Sequence, residues 1–169
     1  MNNAHTDTSE EFQLNRECLQ FVCFKLAEEE YAVDINLIVE AIRVVPFTPV
    51  PQVPDFCLGL INCRGTILPL FDLRKKVLLP QKPFNAKSRI LIASIDHEAI
   101  GLVIDEILDN VRVDPRQVDL TKFLVMKIGK EYIRGVARVD DRMIAILDLQ
   151  KMYDVILQEM AQDHTSTQI

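Results

Sequence analysis

Two aspartates, Asp72 and Asp148, are the first residues whose type and placement could do chemistry, because each ends an apolar run with the same Asp-Leu pair. Two carboxylates that share a proton can serve as acid and base, as they do in aspartic proteases. That chemistry needs a small hydroxyl residue and a glycine after each aspartate, whereas leucine and a predicted helix follow here. Helix capping is therefore the favoured role, and a hydrolase that uses both carboxylates is the alternative.

Histidines and common cofactor motifs offer no second candidate for catalysis. His97 falls at a predicted hairpin tip between two acidic residues, and the other two histidines lie near the ends of the chain. A turn histidine without a nearby nucleophile is far more often solvated than a general base. The sequence also contains no Walker loop, no GxGxxG fingerprint and no HExxH zinc motif. It predicts no enzymatic activity and no cofactor.

The cysteines are candidates for a metal site or for disulfides, and their spacing argues against both. The two-residue gap of zinc knuckles and redox pairs occurs nowhere among Cys18, Cys23, Cys57 and Cys63. Three of the four lie in apolar runs, where a free cysteine behaves as a small hydrophobic residue. We therefore expect mostly buried thiols and no bound metal.

The composition is that of a globular chain with no general affinity for nucleic acid. Of its 169 residues, 49% are hydrophobic, and 19 basic against 25 acidic side chains leave a net charge of −6. A nucleic-acid binder needs a basic face. No run of 18 apolar residues occurs, and the polar, acidic start does not resemble a secretory signal. We expect a cytoplasmic protein with flexible ends at residues 1–17 and 161–169.

Most apolar residues come in short bursts rich in valine and isoleucine, which is typical of strands. The bursts lie at residues 20–26, 31–35, 66–73, 89–94, 99–104, 132–139 and 143–149. Residues 27–30 and 95–98 read as hairpin connections. Helix is predicted only for two turns over residues 73–79 and for an amphipathic stretch over 148–161. Four prolines between residues 46 and 54 predict an extended, poorly paired segment.

An internal repeat is the most informative feature of the sequence. Residues 59–73 (GLINCRGTILPLFDL) align without a gap with residues 135–149 (GVARVDDRMIAILDL), 76 positions later. Each half then holds about five strands, and closure into a small barrel removes their exposed edges. We predict two barrels joined face to face, over residues 18–80 and 81–160, with exchange of strands near the boundary. The proline pair at 80 and 83 marks that boundary.

A small barrel can also bind extended peptides or single-stranded RNA, which is a third hypothesis beside an adaptor and a hydrolase. Such binding needs exposed aromatic side chains on one strand face and a basic groove. The aromatic residues make up 7% of this chain and are scattered along it. The sequence therefore favours the other readings.

The strongest local signal lies in residues 59–74, GLINCRGTILPLFDLR. Asn62 and Gly65 favour a turn, and Arg64 stands between them in an otherwise apolar stretch. An arginine that is partly buried needs a partner. By the order of the elements, the nearest acidic residue is Glu40, so we predict an ion pair between it and Arg64. Such a pair either orients two loops or contacts a ligand.

The patch around Glu40, residues 37–42, carries more apolar residues than a connection between strands requires. A helix there would place Ile38, Ala41 and Ile42 on one side. Two roles remain open for these side chains, burial in the core or the floor of a partly exposed groove.

These residues resemble the signature Gly-x-x-Asn-x-Arg-Gly-x-x-x-Pro-x-x-Asp-Leu-Arg of the bacterial chemotaxis coupling proteins, the CheW-like domain family. The match covers eight positions at fixed spacing: Gly59, Asn62, Arg64, Gly65, Pro69, Asp72, Leu73 and Arg74. The resemblance extends over about residues 19–155 and includes EEYAVDI at 29–35 and GLVID at 101–105.

The resemblance implies a mainly β fold of two five-stranded SH3-like β-barrels related by a pseudo-twofold axis, with short helices and a C-terminal helix. It implies a non-catalytic adaptor, recruited to receptor arrays at the inner face of the membrane. Its expected partners are the regulatory domain of the histidine kinase CheA and the cytoplasmic hairpin tip of chemoreceptors, with no nucleic acid and no membrane insertion. The protein-binding residues that it implies are Ile38, Glu40, Ile42, Gly59, Asn62, Arg64 and Gly65.

Overall fold

A computed structural model describes residues 18–119 and 132–165, with side chains up to residue 162. The described parts are mainly β, as predicted. The strands are β1 Leu19–Leu26, β2 Glu29–Asp34, β3 Ile38–Arg43, β4 Cys57–Cys63, β5 Thr66–Asp72, β6 Arg89–Ile95, β7 Glu98–Ile104, β8 Glu106–Val113, β9 Val118–Asp119, β10 Ile133–Val139 and β11 Arg142–Leu147. The helices are α1 Leu73–Lys76 and α2 Leu149–Thr165. The predicted leader, residues 1–17, lies outside the described residues.

The strands form two sheets, and each sheet takes strands from both halves of the chain. One sheet has six strands in the order β8-β1-β2-β11-β10-β9, and the other has five in the order β3-β6-β7-β5-β4. The sheets therefore do not divide at residue 80. The strand exchange that we expected near the boundary involves the whole molecule: β1 and β2 join strands that follow residue 105, and β3, β4 and β5 join β6 and β7.

The exchange is reciprocal, and the register shows that the internal repeat is structural. In the parallel pairing of β5 with β7, Leu70 lies opposite Gly101. In the parallel pairing of β11 with β2, Ile146 lies opposite Ala32. Ile146 follows Leu70 by the same 76 positions that relate the two aligned segments. Hairpin β1–β2 of the first repeat thus takes the place in one sheet that hairpin β6–β7 of the second repeat takes in the other.

The core consists of three clusters of buried side chains, one inside each sheet and one shared by both sheets. One cluster fills the interior of the six-stranded sheet around Phe21, and a second fills that of the five-stranded sheet around Leu70. The third and largest combines residues of both sheets, such as Phe24 and Leu91, with helix residues, such as Met152. Because neighbouring residues of a strand point to opposite faces, β1 and β6 each contribute to a sheet interior and to the shared core.

The aspartates of the two Asp-Leu pairs cap the helices that follow them, as the sequence favoured. The Asp72 carboxylate accepts a hydrogen bond from the backbone N–H of Arg74, and the Asp148 carboxylate accepts one from that of Lys151. The caps are equivalent in a further respect, because the N–H of Asp72 donates to the carbonyl of Phe56 and that of Asp148 to the carbonyl of Tyr132.

Both helices differ in length from the prediction. Helix α1 ends at Lys76 rather than at residue 79, because Leu78 adopts a left-handed backbone with φ of 60°. Helix α2 continues to Thr165, into the segment predicted to be a flexible tail. Residues 161–165 contain no glycine or proline to stop a helix, so a polar end alone is a poor stop signal. No helix within the described ranges is long and apolar enough to cross a membrane.

Candidate functional site

The hairpin β4–β5 presents Arg64 on a two-residue turn. Arg64 and Gly65 both have positive φ, 52° and 86°, as in the type I′ turns that match the twist of a hairpin. The side-chain oxygen of Asn62 accepts a hydrogen bond of 2.9 Å from the N–H of Gly65. Asn62 and Gly65 therefore stabilise the turn that the sequence predicted. Between them, Arg64 has a positive φ, which residues other than glycine rarely adopt.

Gly59 lies in the same hairpin, but it is buried and serves the packing of the backbone. Its φ is 142°, and a Cβ atom at this position would lie 2.1 Å from the carbonyl oxygen of Thr48. Thr48 belongs to the predicted proline-rich segment, which is extended as expected and pairs with β4 through two hydrogen bonds of 2.9 Å to Leu60. Gly59 thus admits this segment beside the edge strand β4.

In the patch over residues 37–42, Leu37 ends a 3₁₀ turn and the other residues lie in a strand, so the helical arrangement considered from the sequence does not occur. A 3₁₀ turn over Ile35–Leu37 leads into strand β3, which pairs with β6 only. Three β-branched residues and an alternating pattern of half-buried and exposed side chains favour this strand. A bulge between Ile38 and Glu40 interrupts the alternation of faces. Glu40 and Ile42 lie opposite Ile92 and Ile90 on one face, and Ile38 and Ala41 lie opposite Ala93 and Leu91 on the other. Ile38 packs against the shared core, and Ile42 packs inside the five-stranded sheet.

Glu40 and Arg64 form the ion pair that the sequence predicted. A terminal nitrogen of Arg64 lies 2.9 Å from Oε2 of Glu40. The Arg64 side chain is 80% exposed, whereas that of Glu40 is 23% exposed. The thiol of Cys63 also donates to Glu40, over 3.6 Å. The carboxylate is therefore held in place between two groups, while most of the guanidinium faces solvent. The pair links the two edge strands of the five-stranded sheet, β3 and β4.

Exposed apolar side chains occur on β3 and on hairpin β4–β5. Ile67 is 68% exposed and Val39 is 62% exposed. Leu60 is also exposed, and it lies opposite Pro69 in the pairing of β4 with β5. Leu60 and Ile67 therefore share the outer face of hairpin β4–β5, whose turn carries the solvent-facing guanidinium of Arg64.

A protein-family comparison covers most of the chain. The sequence model of the CheW-like domain matches residues 20–156. The chain belongs to the CheW-like domain family. The resemblance to this family that the sequence showed is thereby confirmed.

Similar proteins of this CheW-like family are chemotaxis proteins. The chain is 30% identical to "Chemotaxis protein CheW" of Helicobacter pylori over 82% of this chain and 83% of that protein. It is 32% identical to the protein of the same name from Thermotoga maritima, over 81% and 89% of the two chains. The crystal structure of the scaffolding protein TtCheW from Thermoanaerobacter tengcongensis superposes with a TM-score of 0.76 at 33% identity, over 85% of this chain and 97% of that one. The fold of two small β-barrels and the role of a chemotaxis adaptor are those of this family.

The two aspartates considered for catalysis cap helices in this chain. The Asp72 carboxyl is buried, and burial raises its pKa. Hydrogen bonds from backbone N–H groups lower the pKa, but burial has the larger effect. Each candidate aspartate binds the backbone of its own helix. His97 is exposed in the hairpin turn between β6 and β7. The four cysteines are free, and within the described residues no cluster of acidic, histidine or cysteine side chains is arranged to hold a metal. The CheW family is one of scaffolds rather than enzymes.

The sequence did not reveal the structural roles of two buried cations, Arg74 and Lys76. Arg74 donates to the Asp105 carboxylate through Nε at 2.7 Å and to the carbonyl of Pro80 at 2.6 Å, and Asp105 also accepts from the N–H of Ala27. Burial raises the pKa of Asp105, but the hydrogen bonds from Arg74 and Ala27 outweigh it and leave that pKa below its ordinary value. The arginine ends the family signature, so its type was visible while its partner, 31 residues away, was not.

Lys76 is the second of these cations. Its side chain is almost fully buried, and Nζ lies 2.6 Å from a carboxylate oxygen of Glu159 and 4.4 Å from the centre of the Phe56 ring. The ring of Tyr132, the repeat equivalent of Phe56, lies on another side at 5.5 Å. Lys76 therefore links α1 to α2 at the point where the two repeats meet.

Proposed function

We propose that this chain couples transmembrane chemoreceptors to the histidine kinase CheA, in the cytoplasm and at receptor arrays on the inner face of the membrane. Membership of the CheW-like family supports this proposal, as do relatives named as chemotaxis and scaffolding proteins. The regulatory domain of the kinase and the cytoplasmic hairpin tip of the receptors are the proposed partners. An adaptor of this kind needs surfaces that bind proteins and no reacting groups.

The exposed arginine at the tip of the first hairpin is the observation that carries the proposal. Arg64 has a fixed position, because the turn and Glu40 orient it, and yet four-fifths of its side chain faces solvent. A guanidinium with free donors binds carboxylates in a defined geometry. The nearby exposed side chains of Ile67 and Val39 supply apolar area. A partner helix with an acidic residue beside aliphatic ones fits this combination.

The seven predicted protein-binding residues divide into two proposed roles. Arg64 and Ile38 contact the partner, because the first is exposed and the second is half-buried at the margin of the shared core. The others position these contacts. Glu40 acts by its ion pair, Ile42 by packing inside the five-stranded sheet, and the remaining three, Gly59, Asn62 and Gly65, by shaping the hairpin.

The test is separate coelution of the purified protein with the CheA regulatory domain and with a receptor cytoplasmic fragment. We expect Arg64→Glu to reduce binding to at least one of them by tenfold or more, because a carboxylate would repel the proposed acidic contact. The matched control is Arg138→Glu, since Arg138 is the exposed repeat equivalent of Asn62 on the second hairpin. It is expected to bind as the wild type does.

Ile38→Asp extends the test to the apolar contact. Both variants must melt cooperatively at temperatures close to that of the wild type, as measured by circular dichroism. If Arg64→Glu folds and binds both partners normally, the proposed site is wrong. If neither wild-type mixture coelutes, the coupling role itself is wrong for these partners.

A further inference from the structure

Two arginines lie directly opposite each other at the end of the five-stranded sheet. Arg43, the last residue of β3, pairs with Arg89, the first residue of β6. Residues that are directly opposite in an antiparallel pair point to the same face, and like charges in that position repel each other. Within the described residues, no salt bridge involves Arg43 or Arg89. The sheet therefore carries an uncompensated pair of positive charges.

The two arginines line one cavity of about 320 Å³ together with Val44, Asn85, Ala86 and Ser88. No aspartate or glutamate is among these lining residues, although the chain as a whole is acidic. Lys87, between the lining residues Ala86 and Ser88, pairs with Glu106 at 3.8 Å, and neither side chain lines the cavity. The charges in the lining are therefore those of the two arginines. The electrostatic character of the cavity is therefore positive.

The loop beneath the arginines holds one guanidinium in position. A terminal nitrogen of Arg89 donates to the carbonyls of Ala86 and Ser88, each at 2.8 Å. The loop is fixed in turn, since the Ser88 hydroxyl accepts from the N–H of Asn85 and the Asn85 side chain accepts from the N–H of Lys87. One edge of the Arg89 guanidinium is therefore used by the protein, and its remaining donors are available to a ligand.

The second repeat shows that this doubling of charge is not required by the fold. The segment IVEAIR at residues 38–43 corresponds to ILDNVR at residues 107–112, which ends in Arg112. The residue opposite Arg112 is Gln20, at the position that Arg89 takes opposite Arg43. The same strand pairing thus exists with one arginine and a neutral amide.

We propose that the Arg43–Arg89 pair is a binding site for an oxyanion of the phosphate class. A doubly charged tetrahedral anion offsets the repulsion between two guanidiniums and accepts several of their N–H groups at once. The cavity is large enough for a phosphate with a small substituent, so free phosphate and a phosphate monoester share the chemistry that this site recognises. The site is independent of the adaptor surface around Arg64.

The test is a titration of the full chain with inorganic phosphate, at ionic strength held constant with sodium chloride, followed by NMR of the arginine Nε–H groups. We expect saturable shifts of the Arg43 and Arg89 signals. Arg43→Gln and Arg89→Gln should each weaken phosphate binding about tenfold. The matched control Arg112→Gln removes the same charge from the second repeat and should change the affinity less than twofold. A parallel titration with glycerol phosphate distinguishes a preference for a monoester from binding of the free ion.

A second measurement separates loss of the site from loss of folding. Phosphate should raise the melting temperature of the wild type and of Arg112→Gln, but not that of Arg43→Gln or Arg89→Gln. Without phosphate, Arg43→Gln should melt at or slightly above the wild-type temperature, because it relieves a like-charge contact. Arg89→Gln should melt slightly below it, because this variant also loses the hydrogen bonds to Ala86 and Ser88. Shifts that rise linearly without saturation, or an equal loss of affinity in Arg112→Gln, would show that no such site exists.

Discussion

The two repeat-related hairpins, β4–β5 and β10–β11, use an arginine in opposite ways. In the first hairpin Arg64 has a single ion pair, to Glu40, and is 80% exposed. In the second hairpin Arg142 lies between Glu30 and Asp109, at 2.8 Å from each, and is 31% exposed. Glu40 and Asp109 occupy equivalent positions in the segments IVEAIR and ILDNVR. Both repeats therefore connect the third strand to a hairpin by a carboxylate and an arginine.

The difference places a two-carboxylate ion-pair cluster in one hairpin and an exposed guanidinium, our proposed partner contact, in the other. Arg142 satisfies two carboxylates, and its two hydrogen bonds to Asp109 fix the guanidinium plane. Arg64 stands at the turn itself, two positions before the repeat equivalent of Arg142 in the aligned segments. The position equivalent to Glu30 in the other sheet is Ala99, which offers no second carboxylate. The second hairpin is thus closed by two ion pairs, and the first keeps an exposed guanidinium.

The largest expected effect tests the backbone that supports the first hairpin. Gly59→Ala should destabilise the protein by more than about 3 kcal/mol or prevent folding, because the new Cβ would overlap the Thr48 carbonyl at an unfavourable φ. Gly65→Ala is the matched control. It also has positive φ but open space around it, and should cost about 1 kcal/mol. Urea unfolding of both variants measures the difference, and equal losses would contradict the role assigned to Thr48.

The next effect concerns the closed ion-pair cluster of the second hairpin. Arg142→Gln should lower the free energy of unfolding by about 1–2 kcal/mol, because two partly buried carboxylates lose their charged donor. Binding to the adaptor's partners should be unchanged. Chemical denaturation and coelution check the two halves of this prediction, and a loss of binding by a folded variant would count against it.

The reverse outcome is expected for the first hairpin. Arg64→Gln should change the free energy of unfolding by less than about 0.5 kcal/mol, since the ion pair is largely exposed and screened by solvent. Affinity for the partner should nevertheless fall about tenfold. Isothermal titration calorimetry together with urea unfolding provides both numbers. A stability loss as large as that of Arg142→Gln would remove the distinction between the two hairpins.

The smallest effect is a dependence on pH that comes from the second hairpin. Hydrogen bonds from Arg142 hold the pKa of Asp109 below its ordinary value of 3.8. The unfolded chain therefore binds this proton at a higher pH than the folded chain does. The stabilisation is present above pH 3.8 and is lost as the pH falls through the folded-state pKa.

The variant Asp109→Asn isolates this contribution. It should remove about 0.3 kcal/mol of the acid-dependent loss of stability, a small amount because the side chain is half exposed. Unfolding curves between pH 2.5 and 6 measure it, with Asp141→Asn as a control that alters an exposed carboxylate in the adjacent turn. An unchanged pH profile in Asp109→Asn would mean that the ion pair contributes nothing.

The local elements were predictable because short-range patterns determine them. The hairpin turns, the proline-rich segment and the capping aspartates follow from residue type and spacing alone. The Glu40–Arg64 pair was also predicted and is confirmed by its distance of 2.9 Å. Strand β3 was the exception, because a short apolar run suits either helix or strand until its neighbour is known. That neighbour, β6, lies about 50 residues further along the chain.

Long-range pairings explain what the sequence did not reveal. Arg142 and its partner Glu30 are 112 residues apart, and the two sheets are assembled from pairings between the halves. Their order depends on which of several similar edges meet, which no local spacing specifies. The internal repeat indicated two equivalent units, but it is equally compatible with two sequential barrels and with exchanged ones.

Reciprocal exchange of strands makes the two halves of this polypeptide mutually dependent. Since each sheet lacks neighbours unless the other half is present, a gene divided at its midpoint would yield fragments that fold only as a complex. The molecule is also expected to unfold as one cooperative unit. Binding of a ligand to one barrel would therefore stabilise the other barrel as well.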